Sequence, residues 1–145
     1  MSNKRKEVDL LGEMHIDDAQ YYGIHTRRAL ENFQISHSLI GHYPLFIKGL
    51  VLTKKACASA NREMEVLPQD KADMIIAACD SILADLNRYA SYFPLDVYQG
   101  GAGTSVNMNT NEVIANVALE MQGYARGRYD LLHPNDHVNK SQSTN

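Results

Sequence analysis

Three polar stretches of this sequence carry residue types that can do chemistry. The first is Gly100-Gly101-Ala102-Gly103-Thr104-Ser105, glycines followed by two hydroxyls and a helix start. Glycine lets the backbone approach a ligand closely, and N–H groups at a helix N-terminus point toward negative charge. The stretch therefore reads either as an ordinary helix-entry turn or as an oxyanion or carboxylate site. It is not a Walker loop, because no lysine precedes Thr104, and it does not reproduce the glycine fingerprint of dinucleotide-binding folds. The second stretch is Ser143-Thr144-Asn145. Two hydroxyls and an amide bind a carboxylate without placing a counter-charge permanently beside it. A helix cap is the competing explanation, since these are the preferred capping residues. The third is His133 to His137, two imidazoles four residues apart with Asp136 between them. Pro134 disfavours a helical conformation at His133, so the two rings need not share a face. With no third ligand at an obvious spacing, no metal site is assigned. A polar loop in which His133 or Asp136 contacts a solute remains open beside a plain loop. The other histidines, His15, His25, His37 and His42, read as surface or packing residues.

The elements that must hold these stretches are mostly helical. From Pro44 onward, Phe46, Leu50, Cys57 and Ala60 recur at helical spacing, with Lys48, Lys54, Lys55 and Arg62 largely on other faces. Pro68 is placed to open the next helix. There Ile75, Ala78, Cys79, Ile82, Leu86 and Tyr89 draw an apolar stripe that Pro94 ends. After the glycine loop and its run of amides, Val113, Ile114, Val117 and Met121 continue a helical pattern that stops at Gly123. Upstream, VDLL and MHI flank Gly12-Glu13, which can turn a small hairpin, and a short helix is expected to start near Thr26. The expected fold class is mainly α with a short β-hairpin near the N-terminus.

Composition removes several function classes. The chain has 145 residues, 14 Lys+Arg against 17 Asp+Glu, 44% hydrophobic and 21% charged residues. That balance is close to an average globular domain and unlike a disordered chain. A pI near 6.0 argues against a protein built to neutralise a phosphate backbone. No apolar run approaches the roughly 20 residues of a spanning helix, and the basic-then-acidic start MSNKRKEVDLLGE carries no secretory signal. Cys57 and Cys79 sit in alanine-rich apolar stretches and read as small core residues in a reducing, cytoplasmic setting.

Longer motifs then narrow the reading. VYQGGAGTSVNMNTNEVIAN and HPNDHVNKSQSTN closely resemble two signature stretches of the aspartase/class II fumarase superfamily, and LLGEMHIDDAQYYGIHTRRALENFQIS resembles its N-terminal segment. GTSVN and STN resemble the aspartase branch, where class II fumarases typically read GTQTN and SSN. The resemblance implies a part in the reversible deamination of L-aspartate to fumarate and ammonia, with no cofactor. It carries substrate carboxylate binding onto Thr104, Ser143, Thr144 and Asn145, and substrate binding or positioning onto Arg28. His133, Asn135 and Asp136 match the stretch that forms a secondary anion site in fumarases. Family members are much longer and tetrameric, with each active site assembled from three subunits. Residues 1–145 therefore correspond to their N-terminal domain, without the central helical bundle and C-terminal domain. The Gly-Ser-Ser loop whose serine removes the Cβ proton lies outside the 145 residues, as do the downstream Thr-His pair and the Lys-x-Asn, so no catalytic base is expected here. A class II fumarase or another fumarate-producing lyase is the alternative parent. A non-catalytic helical module that binds a partner protein is the alternative of another class.

Overall fold

The computed structural model describes residues 3–143. It is mainly helical, opened by an antiparallel hairpin of β1 (Lys4–Asp9) and β2 (Gly12–Asp17). The register pairs Asp9 with Gly12, so the turn is Leu10-Leu11 and not the expected Gly12-Glu13. Asp9 sets it: its Oδ1 accepts from the Leu11 N–H at 2.9 Å, and Gly12 takes a φ of 117° that an L side chain resists. The Arg5 guanidinium leaves the hairpin to donate to the carbonyls of Gln20 and Tyr22, tying β1 to the segment ahead of the first helix.

Helix α1 (Ile24–Asn32) begins two residues before the expected Thr26. Helix α2 (Pro44–Glu63) starts on Pro44, whose missing N–H costs nothing in a first turn. Its buried face is Ile47, Val51, Lys54, Ala58 and Asn61, while Phe46 is 47% exposed. The expected stripe is thus displaced by one residue. Both candidate stripes have helical spacing, and the choice falls to the one containing Lys54 and Asn61 because each finds interior partners. Asn61 Nδ2 donates to the Lys140 carbonyl at 2.8 Å, and the bonds of Lys54 are described below.

Pro68 directly precedes α3 (Gln69–Ala84), which buries Ala72, Ile75, Ala78, Cys79 and Ile82. The helix does not run on to Pro94. It breaks at Asp85, whose carboxylate caps a separate short helix, α4 (Leu86–Tyr89), by accepting from the Arg88 N–H. The break turns Tyr89 inward. It is 2% exposed and packs beside Tyr21 and Tyr92, with Tyr21 and Tyr92 edge-to-face at 4.7 Å and the Arg126 guanidinium 4.0 Å over the Tyr21 ring.

Helix α5 (Thr104–Met121) is the centre of the molecule. It contacts α1, α2, α3 and the π-helical turn at Pro134–Val138, and everything from Val113 to Leu119 is buried. The helix already includes the amide-rich stretch ahead of Val113. Asn109, Thr110, Asn111, Glu112 and Asn116 are all at most 2% exposed. Asn109 Nδ2, the Thr110 hydroxyl and Asn116 Nδ2 donate to the carbonyls of Tyr92, Val106 and Tyr21, while Asn109 Oδ1 and Asn111 Oδ1 find no partner among the described residues. No helix among the described residues is long and apolar enough to cross a membrane.

Candidate functional site

The glycine loop enters α5 with Gly101 and Gly103 in the left-handed region, at φ of 69° and 85°. This conformation delivers the chain into the helix at Thr104, its first residue, which is half-buried. Gln99 Oε1 accepts from the Val106 N–H at 2.9 Å, and one of the first-turn donors is thereby satisfied within the loop. One turn on, Asn107 faces the interior.

Lys54 receives Asn107. The side chain is 3% exposed, and its Nζ donates to Asn107 Oδ1 at 2.6 Å, Asn139 Oδ1 at 2.8 Å and Gln142 Oε1 at 2.8 Å. Asn139 Oδ1 also accepts from the side-chain amides of Asn107 and Asn111, at 3.1 and 3.2 Å. Gln142 is held in turn by its own donation to the Val138 carbonyl and by Asn139 Nδ2, which donates to the Gln142 carbonyl. The result is a buried amide cluster joining α2, α5 and the segment that follows the π-helical turn. Burial lowers the Lys54 ammonium to about 8, since removing it from water disfavours the charged form. A cleft of about 400 Å³ opens beside it, with Leu45, Phe46 and Leu50 as apolar wall and Lys54, Asn107 and Gln142 as polar end.

Residues flanking two of the expected stretches therefore meet at Lys54. Asn107 stands three residues after Thr104, about 4.5 Å along the helix axis, and Gln142 is the residue before Ser143. Ser143 is exposed, and Thr144 and Asn145 lie outside the described residues. Sequence reasoning missed Lys54 by placing it on a solvent face. The signal that could have found it was the density of amides at Asn107, Asn111, Asn139 and Gln142, which need a buried donor in common.

Arg28 lies elsewhere. Its Nε and Nη2 each donate to the Asp9 carboxylate at 2.8 Å, a two-pronged pair that locks α1 to the hairpin and holds the Asp9 carboxyl below its usual range. Asp9 borders a second cleft of about 430 Å³ that also includes His25, Glu112, Tyr129 and His133. The stretch expected to form a secondary anion site borders this cleft too. His133 Nδ1 accepts from the N–H groups of Asn135 and Asp136, at 3.1 and 3.2 Å, and His137 Nδ1 accepts from the His133 N–H at 2.7 Å. Both rings thus spend Nδ1 on backbone N–H groups.

Glu112 lines this second cleft from α5. It is 2% exposed, and its carboxylate accepts four bonds, from the N–H groups of Gly23, His25 and Thr26 and from the Thr26 hydroxyl at 2.6 Å. It caps α1 from a different helix. Burial pushes its carboxyl up to about 7, helped by the nearby Glu7 and opposed by the Thr26 hydroxyl and the backbone donors. Gly23 admits this approach. A Cβ there would stand 2.6 Å from Glu7 Oε2 and collide with the Tyr129 hydroxyl.

Residues 12–145 match the family described as Lyase, and the chain belongs to it. It is 55% identical over 144 residues to the aspartate ammonia-lyase of Escherichia coli, covering 99% of this chain and 30% of that protein. With the aspartate ammonia-lyase of Corynebacterium glutamicum it shares 58% identity over 141 residues, covering 97% of this chain and 27% of the relative. The fold superimposes on a fumarate lyase:delta crystallin structure from Brucella melitensis with a TM-score of 0.93, at 51% identity, over 98% of this chain and 33% of that one. A class II fumarase from Schistosoma mansoni gives 0.85 at 32% identity, over 98% of this chain and 29% of that one. The chain thus spans roughly a third or less of the length of the relatives it matches.

Proposed function

We propose that this chain is the N-terminal domain of an aspartate ammonia-lyase, and that it contributes groups that bind the substrate carboxylate. One observation carries the reading. The residue three positions after Thr104 and the residue before Ser143 accept hydrogen bonds from the same buried ammonium, which supports a shared role for the stretches they flank. Thr104, Ser143, Thr144 and Asn145 are the binding groups. Arg28 acts at one remove, by positioning α1 through Asp9. His133, Asn135 and Asp136 line a secondary anion site.

Neutral donors suit the chemistry. Removing a Cβ proton from aspartate builds negative charge onto the adjacent carboxylate, and donors preorganised around it strengthen as that charge develops, each worth about 3 kcal/mol. Hydroxyls and amides stabilise the anion without competing for the proton. The base is the serine of the family's Gly-Ser-Ser loop, outside the 145 residues. The site is completed in a cytoplasmic homotetramer, and the isolated chain has no lyase activity.

The higher identity to aspartate ammonia-lyases than to the class II fumarase supports aspartate over malate. The test is the full-length polypeptide assayed with each substrate. Fumarate release from L-aspartate, with none from malate, is the expected result. Malate dehydration without aspartate deamination overturns it.

A further inference from the structure

An ammonium taken out of water is costly and is ordinarily met by a carboxylate. Lys54 is met by three amide oxygens instead. An ammonium has three N–H groups, so these bonds exhaust its donors. They do not cancel its charge. The titratable groups facing it are Cys57 on its own helix and Cys79 on α3. Burial pushes the Cys79 thiol up to about 12, so that neighbour stays neutral. Among the described residues, α5 and the segment after the π-helical turn reach it with amides only.

The position of this charge is as telling as its isolation. Its three acceptors are Asn107, three residues after Thr104, and Asn139 and Gln142, in the segment leading to Ser143. Asn139 is 3% exposed and receives three donors at one oxygen, a well-determined junction. Resting on the carboxylate-site reading above, we propose that Lys54 is the positioning residue of that site: its ammonium fixes the start of α5 against the segment carrying Ser143, and its unopposed charge draws the substrate carboxylate to the hydroxyls.

A plain structural staple and this role make different predictions. In the full-length enzyme, Lys54→Met removes the charge and keeps the apolar stem. Its kcat/KM for L-aspartate is expected to fall about 100-fold, the scale of a misplacement by an ångström or so. Asn107→Asp separates the two roles, because it leaves the ammonium bonded and places a carboxylate against its charge. KM is expected to rise about tenfold with the melting temperature held or raised. In the unsubstituted enzyme KM should rise as Lys54 loses its proton above about pH 8, and in this variant that rise moves to higher pH. If Lys54→Met does not fold, Asn107→Asp carries the test alone. A KM within twofold of the unsubstituted enzyme in Asn107→Asp, with its alkaline limb in place, overturns the proposal. The unsubstituted enzyme separates the two readings. No fumarate release from it removes the aspartate assignment, whereas an active parent with unmoved variants removes only the role of Lys54.

Discussion

Helix α5 carries two buried polar centres, and they are opposites. At Glu112 the fold encloses an anion and spends four donors on it. At Asn107 it helps enclose a cation and gives it only amide oxygens. The first centre is closed, because its charge is met by the N–H groups of an α1 turn aimed at it. The second has its hydrogen bonds made and its charge unmet, and it stands beside an open cleft. Bond counts alone would rank the two as equally satisfied. Charge separates them: one is met within the fold, and the other is the one to which a positioning role was proposed above.

The largest expected effect breaks the closed centre. Glu112→Ala strands three N–H groups and a hydroxyl in the interior, a loss of about 3–5 kcal/mol by analogy with breaking a buried charged network. A melting curve of the full-length protein checks it, and a drop of only a degree or two would mean that α1 does not depend on this carboxylate. Next in size is a pH effect. With its carboxyl at about 7 in the fold against 4.5 unfolded, Glu112 binds a proton more tightly when folded. Its contribution is fully present below pH 4.5 and is lost as pH rises to about 7, a change of up to about 3 kcal/mol. Glu112→Gln should flatten that slope in melts taken across the window. Lys54 gives the opposite sign at higher pH. Its proton is held less tightly in the fold, so its destabilising share lessens as pH rises from about 8 toward 10.5.

Smaller effects probe the open centre. Thr104→Val keeps the shape and removes the hydroxyl, and in the full-length enzyme it should raise KM for L-aspartate about tenfold, the value of one hydrogen bond to a charged group. The melting temperature should barely move, because Thr104 sits at the first helical position. Smallest is Arg28→Lys, which keeps a charge near Asp9 but loses the two-pronged geometry. A rise in KM of about threefold at unchanged kcat is expected from a group that acts through the hairpin. A loss as large as that of Thr104→Val would place Arg28 on the substrate itself.

Much of this was legible in the sequence, and the failures share a cause. The hairpin, the three long helices and the glycine entry into α5 follow from turn residues and apolar spacing. The face of α2 was misread because pattern rules count Lys54 and Asn61 as solvent residues, and only three-dimensional partners can say otherwise. The amide run ahead of Val113 hid the first turns of α5 for the same reason. At Asp85 the apolar spacing carried straight through a break that a single capping carboxylate imposes. The Leu10-Leu11 turn was missed because its signal lies in the flanking Asp9 and Gly12 and not in the two residues that make it. The meeting of Asn107 and Gln142 depends on Lys54, and such a proximity could not be read from spacing alone.

The interruption at Asp85 has an optical consequence. This chain has no tryptophan, so its near-ultraviolet emission comes from tyrosine. Turning Tyr89 inward assembles Tyr21, Tyr89 and Tyr92 side by side, with the guanidinium of Arg126 over the Tyr21 ring, and the Tyr21 hydroxyl donates to Glu120. Such a cluster, with one phenol bonded to a carboxylate and stacked under a cation, is dimmed relative to tyrosine in water. The domain therefore carries its own fluorescent gauge of whether the segment behind the hairpin is seated against the helices, readable without a label.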